Sequence, residues 1–165
     1  MTMQPNLTAV SDLQELLDAH GLHAGLLFLN ARVPHRYTAV YRLSGEYLRR
    51  LDFVDKEGGL GEATATVPFK DSFCELAVRQ GPLLVTDTSS DARICDKPNP
   101  FMMGSYVGFP LASTESRTLY GTLCHYDNCA HPLNDAELVF LQQASELLTL
   151  FCLRVGMPLH SPATD

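Results

Sequence analysis

Residues 105–127 read SYVGFPLASTESRTLYGTLCHYD, which is two strand-like runs joined by a polar turn. Side chains on a strand alternate between its two faces, so Val107, Phe109 and Leu111 form one continuous apolar face of the first run. The polar residues 113–118 suit an exposed hairpin loop between the runs. This part of the chain therefore predicts an antiparallel pair of strands at the centre of the fold.

The other face of this hairpin is mixed in character and predicts a ligand pocket. Tyr106 and Gly108 lie on this face of the first run, and Thr122, Cys124 and Tyr126 lie on it in the second run. Gly108 is expected to leave room for a ligand, while the hydroxyl groups and the thiol offer directional contacts. We therefore expect Tyr106, Cys124 and Tyr126 to contact a bound small molecule.

Length and composition narrow the class of protein. The chain has 165 residues, of which 45% are hydrophobic and 19% charged, so one domain with a substantial core is expected. A net charge of -7 without a basic run argues against a nucleic-acid partner. No apolar run has the length of a membrane span, and the N-terminus lacks the pattern of a signal peptide. We expect a cytoplasmic protein that does not bind membranes and whose five cysteines are reduced.

The caps, the periodicity and the turn residues predict the remaining elements. Helices are predicted at 11–20, opened by a capping box at Ser11, at 22–33, ended by Pro34, at 73–79, opened by Ser72, and at 135–155, capped by Asn134. Strands are predicted at 36–43, 47–55, 63–69 and 83–86, and residues 87–100 form a long loop or lid. This order predicts an α+β domain with helices packed on an antiparallel sheet.

Five short motifs, taken together and in order, resemble the GAF domain family. They are Ser72-Phe73-Cys74, residues 81–87 (GPLLVTD), residues 105–111 (SYVGFPL), residues 121–124 (GTLC) and Asp127. The similarity covers residues 10–155, which leaves residues 1–9 and 156–165 as flexible ends. The resemblance implies a central antiparallel sheet with the N- and C-terminal helices on one face and a pocket with lid loops on the other.

The resemblance also implies a regulatory function. Residues 28–43 and 121–127 look like those of small stand-alone bacterial GAF proteins, and GAF domains often bind or sense small molecules as dimers. The last helix carries a second apolar stripe, beyond the one that covers the sheet, which fits a homodimer through the terminal helices. We therefore expect a signalling sensor that acts on a separate output protein. The ligand and any cofactor stay open.

One branch of the family is enzymatic, the free methionine-R-sulfoxide reductases. Cys74 matches a cysteine of that branch, but its partner position is Thr64, and Cys95 on the lid lies too far from the 105–111 strand. The three positions that hold pocket carboxylates in that branch are Tyr106, Cys124 and Tyr126, none of which is an acid. We therefore expect no enzymatic activity, with a thiol-based enzyme as the alternative.

Thiol chemistry at Cys74 is a separate expectation. A helix N-terminus favours a thiolate, so Cys74 at the start of the short helix is a candidate for a lowered pKa, and Cys124 across the pocket would make a redox pair. The competing interpretation is that both are small buried hydrophobic residues. A third reading is a dimerisation scaffold that binds nothing.

Further pocket candidates come from the neighbouring segments. Tyr41 lies on a strand predicted to carry aromatic residues on one face, and Arg93 on the lid with Ser105 could donate to a cyclic nucleotide. The Cys124-His125 pair is similar to the dipeptide of bilin-binding GAF domains, but it lies on a strand here, which argues against a bilin. His125 is expected to be a structural histidine.

No metal site is predicted. None of the cysteine spacings matches a zinc pattern, and the nearest grouping is Cys124 and Cys129 with His125 and His131.

Overall fold

The structure, a computed structural model, describes residues 5–59, 66–115 and 118–156 and contains four α-helices and one six-stranded antiparallel sheet. The helices are α1 (Pro5–His20), α2 (Leu22–Ala31), α3 (Phe73–Gln80) and α4 (Asp135–Val155). The strands are β1 (Tyr37–Ser44), β2 (Tyr47–Asp55), β3 (Thr66–Pro68), β4 (Leu83–Val85), β5 (Ser105–Ser113) and β6 (Thr118–Asp127). Their spatial order is β3-β2-β1-β6-β5-β4, which confirms the predicted α+β architecture.

The predicted hairpin lies in the sheet as β5 and β6. Tyr106 pairs with Tyr126, and Gly108 pairs with Cys124, so the mixed faces of the two strands coincide. β6 also pairs with β1, which brings Tyr41 opposite Thr122. The predicted alternation is confirmed for residues 105–111 and 121–126, and a register shift between Leu111 and Ala112 interrupts it beyond them.

One face of the sheet is covered by α1, α2 and α4. Val107, Phe109 and Leu123 pack there with apolar side chains of the three helices, and we call this the helix-side core. By length and composition alone α4 could cross a membrane, yet its Phe140 and Leu148 are fully buried in this core. Their burial explains the apolar character of α4, because a helix that lies on a sheet needs a wide apolar face.

The opposite face carries α3 and the loop between β4 and β5. Phe73, Cys74, Tyr106 and Cys124 belong to a second buried cluster on this face, separate from the helix-side core. A single eight-residue helix covers much less of a sheet than three longer ones. The pocket face predicted from the sequence is therefore the thinly covered one.

The predicted start of the first helix was wrong. α1 begins at Pro5, so Ser11 lies inside the helix and is exposed there instead of capping it. Ala9 is buried together with Leu13 and Leu17, four and eight residues further on, and its packing extends the helix upstream of the capping-box pattern. Residues 5–9 of the predicted flexible start are thus helical, while residues 1–4 and 157–165 lie outside the described residues.

Two other boundaries differ from the prediction. α2 ends at Ala31 and not at Val33, because the residue before a proline is disfavoured in helical conformation and Pro34 follows. β3 spans Thr66–Pro68, Phe69 begins a 3-10 turn, and residues 63–65 lie outside the described part of the chain. The two other caps are confirmed, since Ser72 Oγ accepts from Glu75 N at 3.2 Å and Asn134 Oδ1 accepts from Glu137 N at 2.8 Å.

Candidate functional site

A cavity of about 200 Å³ lies between the pocket face of the sheet, the start of α3 and residues 98–103. Its walls are mostly aromatic and aliphatic, with contributions from β1, β2, β3, β5 and β6. Among the described residues that line it, Asp71 is the one with a charged side chain, and Asp71 is exposed. The cavity therefore suits an uncharged ligand.

Hydrogen-bond donors converge on the sulfur atom of Cys74 at the inner wall of this cavity. Tyr106 Oη donates to Cys74 Sγ at 3.0 Å, and Thr122 Oγ1 donates at 3.2 Å. The thiol of Cys124 is a third hydrogen-bond partner of the same sulfur. Because all three partners can donate, the arrangement stabilises a thiolate at Cys74.

For this reason the pKa values of Cys74 and Cys124 shift in opposite directions. The hydrogen bonds from Cys124, Thr122 and Tyr106 lower the pKa of Cys74, although its burial acts in the opposite direction. The pKa of Cys124 is raised by its hydrogen bond to Cys74 and by burial. The proton of the hydrogen bond between the two cysteines is therefore held on Cys124, and Cys74 has the greater thiolate character.

Neighbouring side chains fix the Tyr106 hydroxyl in place. Its ring packs edge-to-face on Phe73, with centroids 5.5 Å apart. A Cβ atom on Gly108 would clash with Tyr106 Oη, so Gly108 makes room for this hydroxyl. The expectation that Gly108 leaves space for the ligand was wrong, because the end of the Tyr106 side chain occupies that space.

Tyr126 contributes an aromatic ring to another side of the cavity, and two further rings stack behind it. Tyr126 stacks on Tyr37 at 4.9 Å between centroids, and Tyr37 stacks on Phe53 at 5.6 Å. Burial raises the pKa of both Tyr41 and Tyr126, so their phenols stay protonated near neutral pH. The side chains of Tyr41 and Tyr126 are hydrogen-bonded to each other, and the Tyr126 hydroxyl is the one left to donate to a ligand.

The predicted lid is present and anchored at both ends. It holds two short 3-10 turns, and its segment 98–101 with Met103 lies over the cavity. Lys97 Nζ contacts Glu75 Oε1 at 3.0 Å and Lys70 O at 2.9 Å, which ties the lid to α3. At its base, Thr88 N donates to Gly104 O at 3.0 Å.

Five of the seven predicted ligand-binding residues line this cavity, and two lie elsewhere. The five are Tyr41, Cys74, Tyr106, Cys124 and Tyr126. Ser105 is fully buried on the other side of β5, because strand alternation places it with Val107. Arg93 is half-exposed on the lid, where it contacts Asp91 Oδ2 and Leu84 O, each at 2.6 Å.

Other wall residues were missed by the sequence reasoning. They include Leu48 on β2, Phe73 on α3, and Phe101 and Met103 after the lid. The apolar run at 101–103 was a usable signal, since a run of this kind at the end of a polar loop needs a surface to cover. Thr64, the position of the missing reductase cysteine, lies outside the described residues.

His125 points away from the cavity. Its Nδ1 is 2.7 Å from Thr38 Oγ1, and burial lowers its pKa to about 3. A neutral imidazole that is hydrogen-bonded under the helices is consistent with the structural role expected from the sequence.

Comparison with known proteins assigns the chain to a family. The sequence model of the GAF domain matches residues 8–150, so the chain belongs to the GAF domain family. No curated protein matches the sequence.

Solved structures agree at the level of the fold. The GAF domain of a phosphoenolpyruvate-protein phosphotransferase from Acinetobacter superposes with a TM-score of 0.76 at 13% identity, over 94% of this chain and 96% of that one. A GAF sensor protein from Burkholderia vietnamiensis gives 0.72 at 13% identity, over 90% and 94%. Free methionine-R-sulfoxide reductase from Neisseria meningitidis gives 0.69 at 13% identity, over 92% of each chain. At this identity the likeness establishes the fold alone.

Proposed function

We propose that this GAF domain is a sensor that binds a small uncharged aromatic molecule in the cavity, and that it is not an enzyme. The observation that carries the proposal is the lining of the cavity, in which aromatic and aliphatic walls surround the hydroxyls of Tyr41 and Tyr126 and the thiol of Cys124. Pockets of this kind bind through apolar contact, and a few polar groups set the orientation.

The volume of the cavity limits the size of the ligand. An apolar cavity of about 150 Å³ accommodates benzene. The volume here, about 200 Å³, therefore suits one aromatic ring with a small polar substituent. An amino acid or a nucleotide is disfavoured, because the described lining offers no basic side chain to pair with a carboxylate or a phosphate.

Thermal unfolding in the presence of matched probes tests this proposal. Indole and phenol should raise the melting temperature in a concentration-dependent way, since a ligand that binds only the folded state stabilises it. Benzoate and methionine sulfoxide should not. Stabilisation by the charged probes alone would refute the proposal, and no stabilisation by any probe would favour the scaffold interpretation.

Two variants at the mouth of the cavity provide a matched control. Val67 on the edge strand β3 lines the cavity, whereas its neighbour Thr66 is exposed. Val67→Trp should block the cavity and abolish the shift with indole, and Thr66→Trp should keep it. If indole raised the melting temperature of both variants equally, it would bind outside the cavity.

A second candidate function, redox sensing, is favoured by the convergence of donors on Cys74. The Cys74 thiolate would attack a peroxide, forming a sulfenic acid and releasing hydroxide. The Cys124 thiol would then displace water to give a Cys74–Cys124 disulfide. One peroxide is thereby reduced by two electrons and both thiols are oxidised.

Mass spectrometry after peroxide treatment distinguishes this candidate from simple binding. A redox sensor should lose two hydrogen atoms and form a Cys74–Cys124 cross-link, which Cys74→Ser should prevent. Turnover of peroxide or of a sulfoxide that disappears in Cys74→Ser would instead support the thiol enzyme. Unchanged thiols would exclude both.

The sensor is further proposed to act as a homodimer through its terminal helices, with a separate protein as its output. Of the second apolar stripe expected to be free for this interface, Leu141, Leu148 and Cys152 are buried in the helix-side core, and Val155 is exposed. The exposed apolar residues one turn apart on the outward side of α4 are Leu150 (60% exposed) and Leu153 (40%). An exposed apolar patch on a surface helix is typical of an interface.

A further inference from the structure

We propose that Asp127, Cys129 and His131 form a binding site for a divalent transition-metal ion of the zinc class. The site is independent of the ligand cavity, and the sequence reasoning predicted no metal site in this chain. It lies at the end of β6 and in the loop that follows. The carboxylate of Asp127, the thiol of Cys129 and the imidazole of His131 bring three ligand atoms within 4.8 Å of one another.

The distances between these atoms are close to those of a metal site. His131 Nε2 is 2.9 Å from Asp127 Oδ2 and 3.3 Å from Cys129 Sγ. Tetrahedral coordination with the usual zinc bond lengths gives about 3.3 Å between nitrogen and oxygen and about 3.6 Å between nitrogen and sulfur. Movements of a few tenths of an ångström would therefore complete the coordination.

Both contacts meet the same nitrogen of His131. The thiol of Cys129 is also a hydrogen-bond partner of Asp127, so the three ligand atoms face one common point. An ion at the centre of the three atoms would contact all of them. Nitrogen, thiolate sulfur and carboxylate oxygen together are a set that zinc accepts, and three protein ligands leave a fourth position for water.

The surrounding structure holds the ligands in place. Asp127 Oδ2 accepts from Arg36 N at 2.9 Å, and His131 N donates to Thr86 O at 3.1 Å. The ring of His131 packs edge-to-face on that of His35, which is fully buried, with centroids 5.2 Å apart. Such outer contacts fix the orientation of metal ligands before the metal arrives.

Exposure also fits a site that an ion can enter. Cys129 is exposed, while the side chains of His131 and Asp127 are 24% and 13% exposed. On binding, the thiol proton of Cys129 leaves to solvent and a metal–sulfur bond replaces the S–H bond, with no change of oxidation state.

Cobalt(II) titration of the reduced protein tests the site, because a thiolate–cobalt bond gives a charge-transfer band in the near ultraviolet. The expected result is one equivalent of cobalt with this band, displaced by zinc. The band should be lost in Cys129→Ser, and His131→Gln should weaken binding about 100-fold, since changes to outer contacts alone already cost 10–100-fold.

Cys95→Ser is the matched control, because Cys95 is a second exposed cysteine that lies beside a carboxylate, with Cys95 Sγ 3.7 Å from Asp96 Oδ1. This variant should bind cobalt like the unmodified chain. The proposal is overturned if no band develops, if the band survives in Cys129→Ser, or if it is lost in Cys95→Ser. Circular dichroism of each variant shows whether the fold is intact, so that loss of binding reports on the ligand removed.

Discussion

At the scale of single residues, the hydrogen bonds to Cys74 are the least expected feature of the pocket. A buried thiol ordinarily keeps its proton, because burial disfavours the charged form. Here Tyr106 and Thr122 are fully buried donors whose hydroxyls contact the sulfur. A thiolate at this position is therefore a property of its neighbours more than of the helix N-terminus.

Removal of the Tyr106 hydroxyl should weaken this effect. Tyr106→Phe is expected to raise the pKa of Cys74 by about 1, since a hydrogen bond to a charged group contributes about 1.5–3 kcal/mol. Gly108→Ala should act in the same direction by displacing the hydroxyl. Thiolate absorbance during a pH titration measures the change, with Cys74→Ser as the baseline.

Tyr120→Phe, in the helix-side core, serves as the control for this titration. A pKa of Cys74 that is the same in Tyr106→Phe as in the unmodified chain would contradict the assignment of Tyr106 as a donor to the thiolate.

The buried histidine His35 should make folding stability depend on pH. Burial lowers its pKa from 6.5 to about 4, and the charges of His131 and Lys56 act in the same direction, against that of Asp127. Between pH 6.5 and 4 the unfolded chain binds a proton that the folded chain does not bind. The free energy of unfolding should therefore fall as the pH drops, and this residue should account for about 2 kcal/mol of the loss between pH 7 and 5.

Urea denaturation at both pH values, with a chelator present, measures this dependence. His35→Phe should lose about 2 kcal/mol less than the unmodified chain over the same interval. His20→Gln, at the exposed end of α1, should behave like the unmodified chain. An identical loss in His35→Phe would show that the protonation of His35 does not destabilise the fold.

At the scale of elements, the two predicted capping serines differ in what they do. Ser72 Oγ accepts from Glu75 N at the start of α3 and donates to Phe69 O at 2.7 Å. Ser11 has the same sequence pattern but lies within α1. A capping pattern therefore marks a helix start only where no apolar packing continues the helix upstream.

Alanine substitution should separate the two serines. Ser72→Ala is expected to lower the free energy of unfolding by about 1 kcal/mol, the usual loss for a helix cap. Ser11→Ala should change it by less than about 0.5 kcal/mol, because alanine is the better residue inside a helix. Urea denaturation at neutral pH measures both, and an equal loss in the two variants would contradict the assigned start of α1.

At the scale of the whole molecule, β5 and β6 connect the pocket to the helices. Tyr106 and Cys124 face the cavity, while Val107 and Leu123 on the same strands pack against the helices. A ligand that shifts these strands would thereby alter the packing under α4. This is a physical route from the cavity to the proposed dimer interface.

The homodimer can be tested at this interface. Leu150→Glu should convert the proposed dimer to a monomer, because it places a charge in the exposed apolar patch that Leu150 forms with Leu153. Leu27→Glu on α2, where the residue is 50% exposed, should leave the dimer intact. Sedimentation velocity measures the mass of each, and a monomeric unmodified chain would contradict the proposed interface.

Much of the fold was predictable because alternation and caps are local properties. The period of two in residues 105–127 assigned both faces of the hairpin correctly, and it selected Tyr106, Cys124 and Tyr126 for the pocket face. The same alternation, applied to Ser105, would have removed that residue from the site. Arg93 was misplaced because its guanidinium is held by Asp91, two residues upstream, and by Leu84 O, and the second of these contacts is not visible in the local sequence.

What the amino-acid sequence determined alone was the order of the elements, the inner and outer faces of the strands, and the family. The tertiary structure decided which atoms meet. Tyr106 and Thr122, whose hydroxyls contact the Cys74 sulfur, lie 32 and 48 residues from Cys74 in the chain. The contacts of His131 Nε2 with Asp127 and Cys129 depend on the path of the loop after β6. Periodicity governs the direction of a side chain within an element, whereas the packing of separate elements brings such groups within bonding distance.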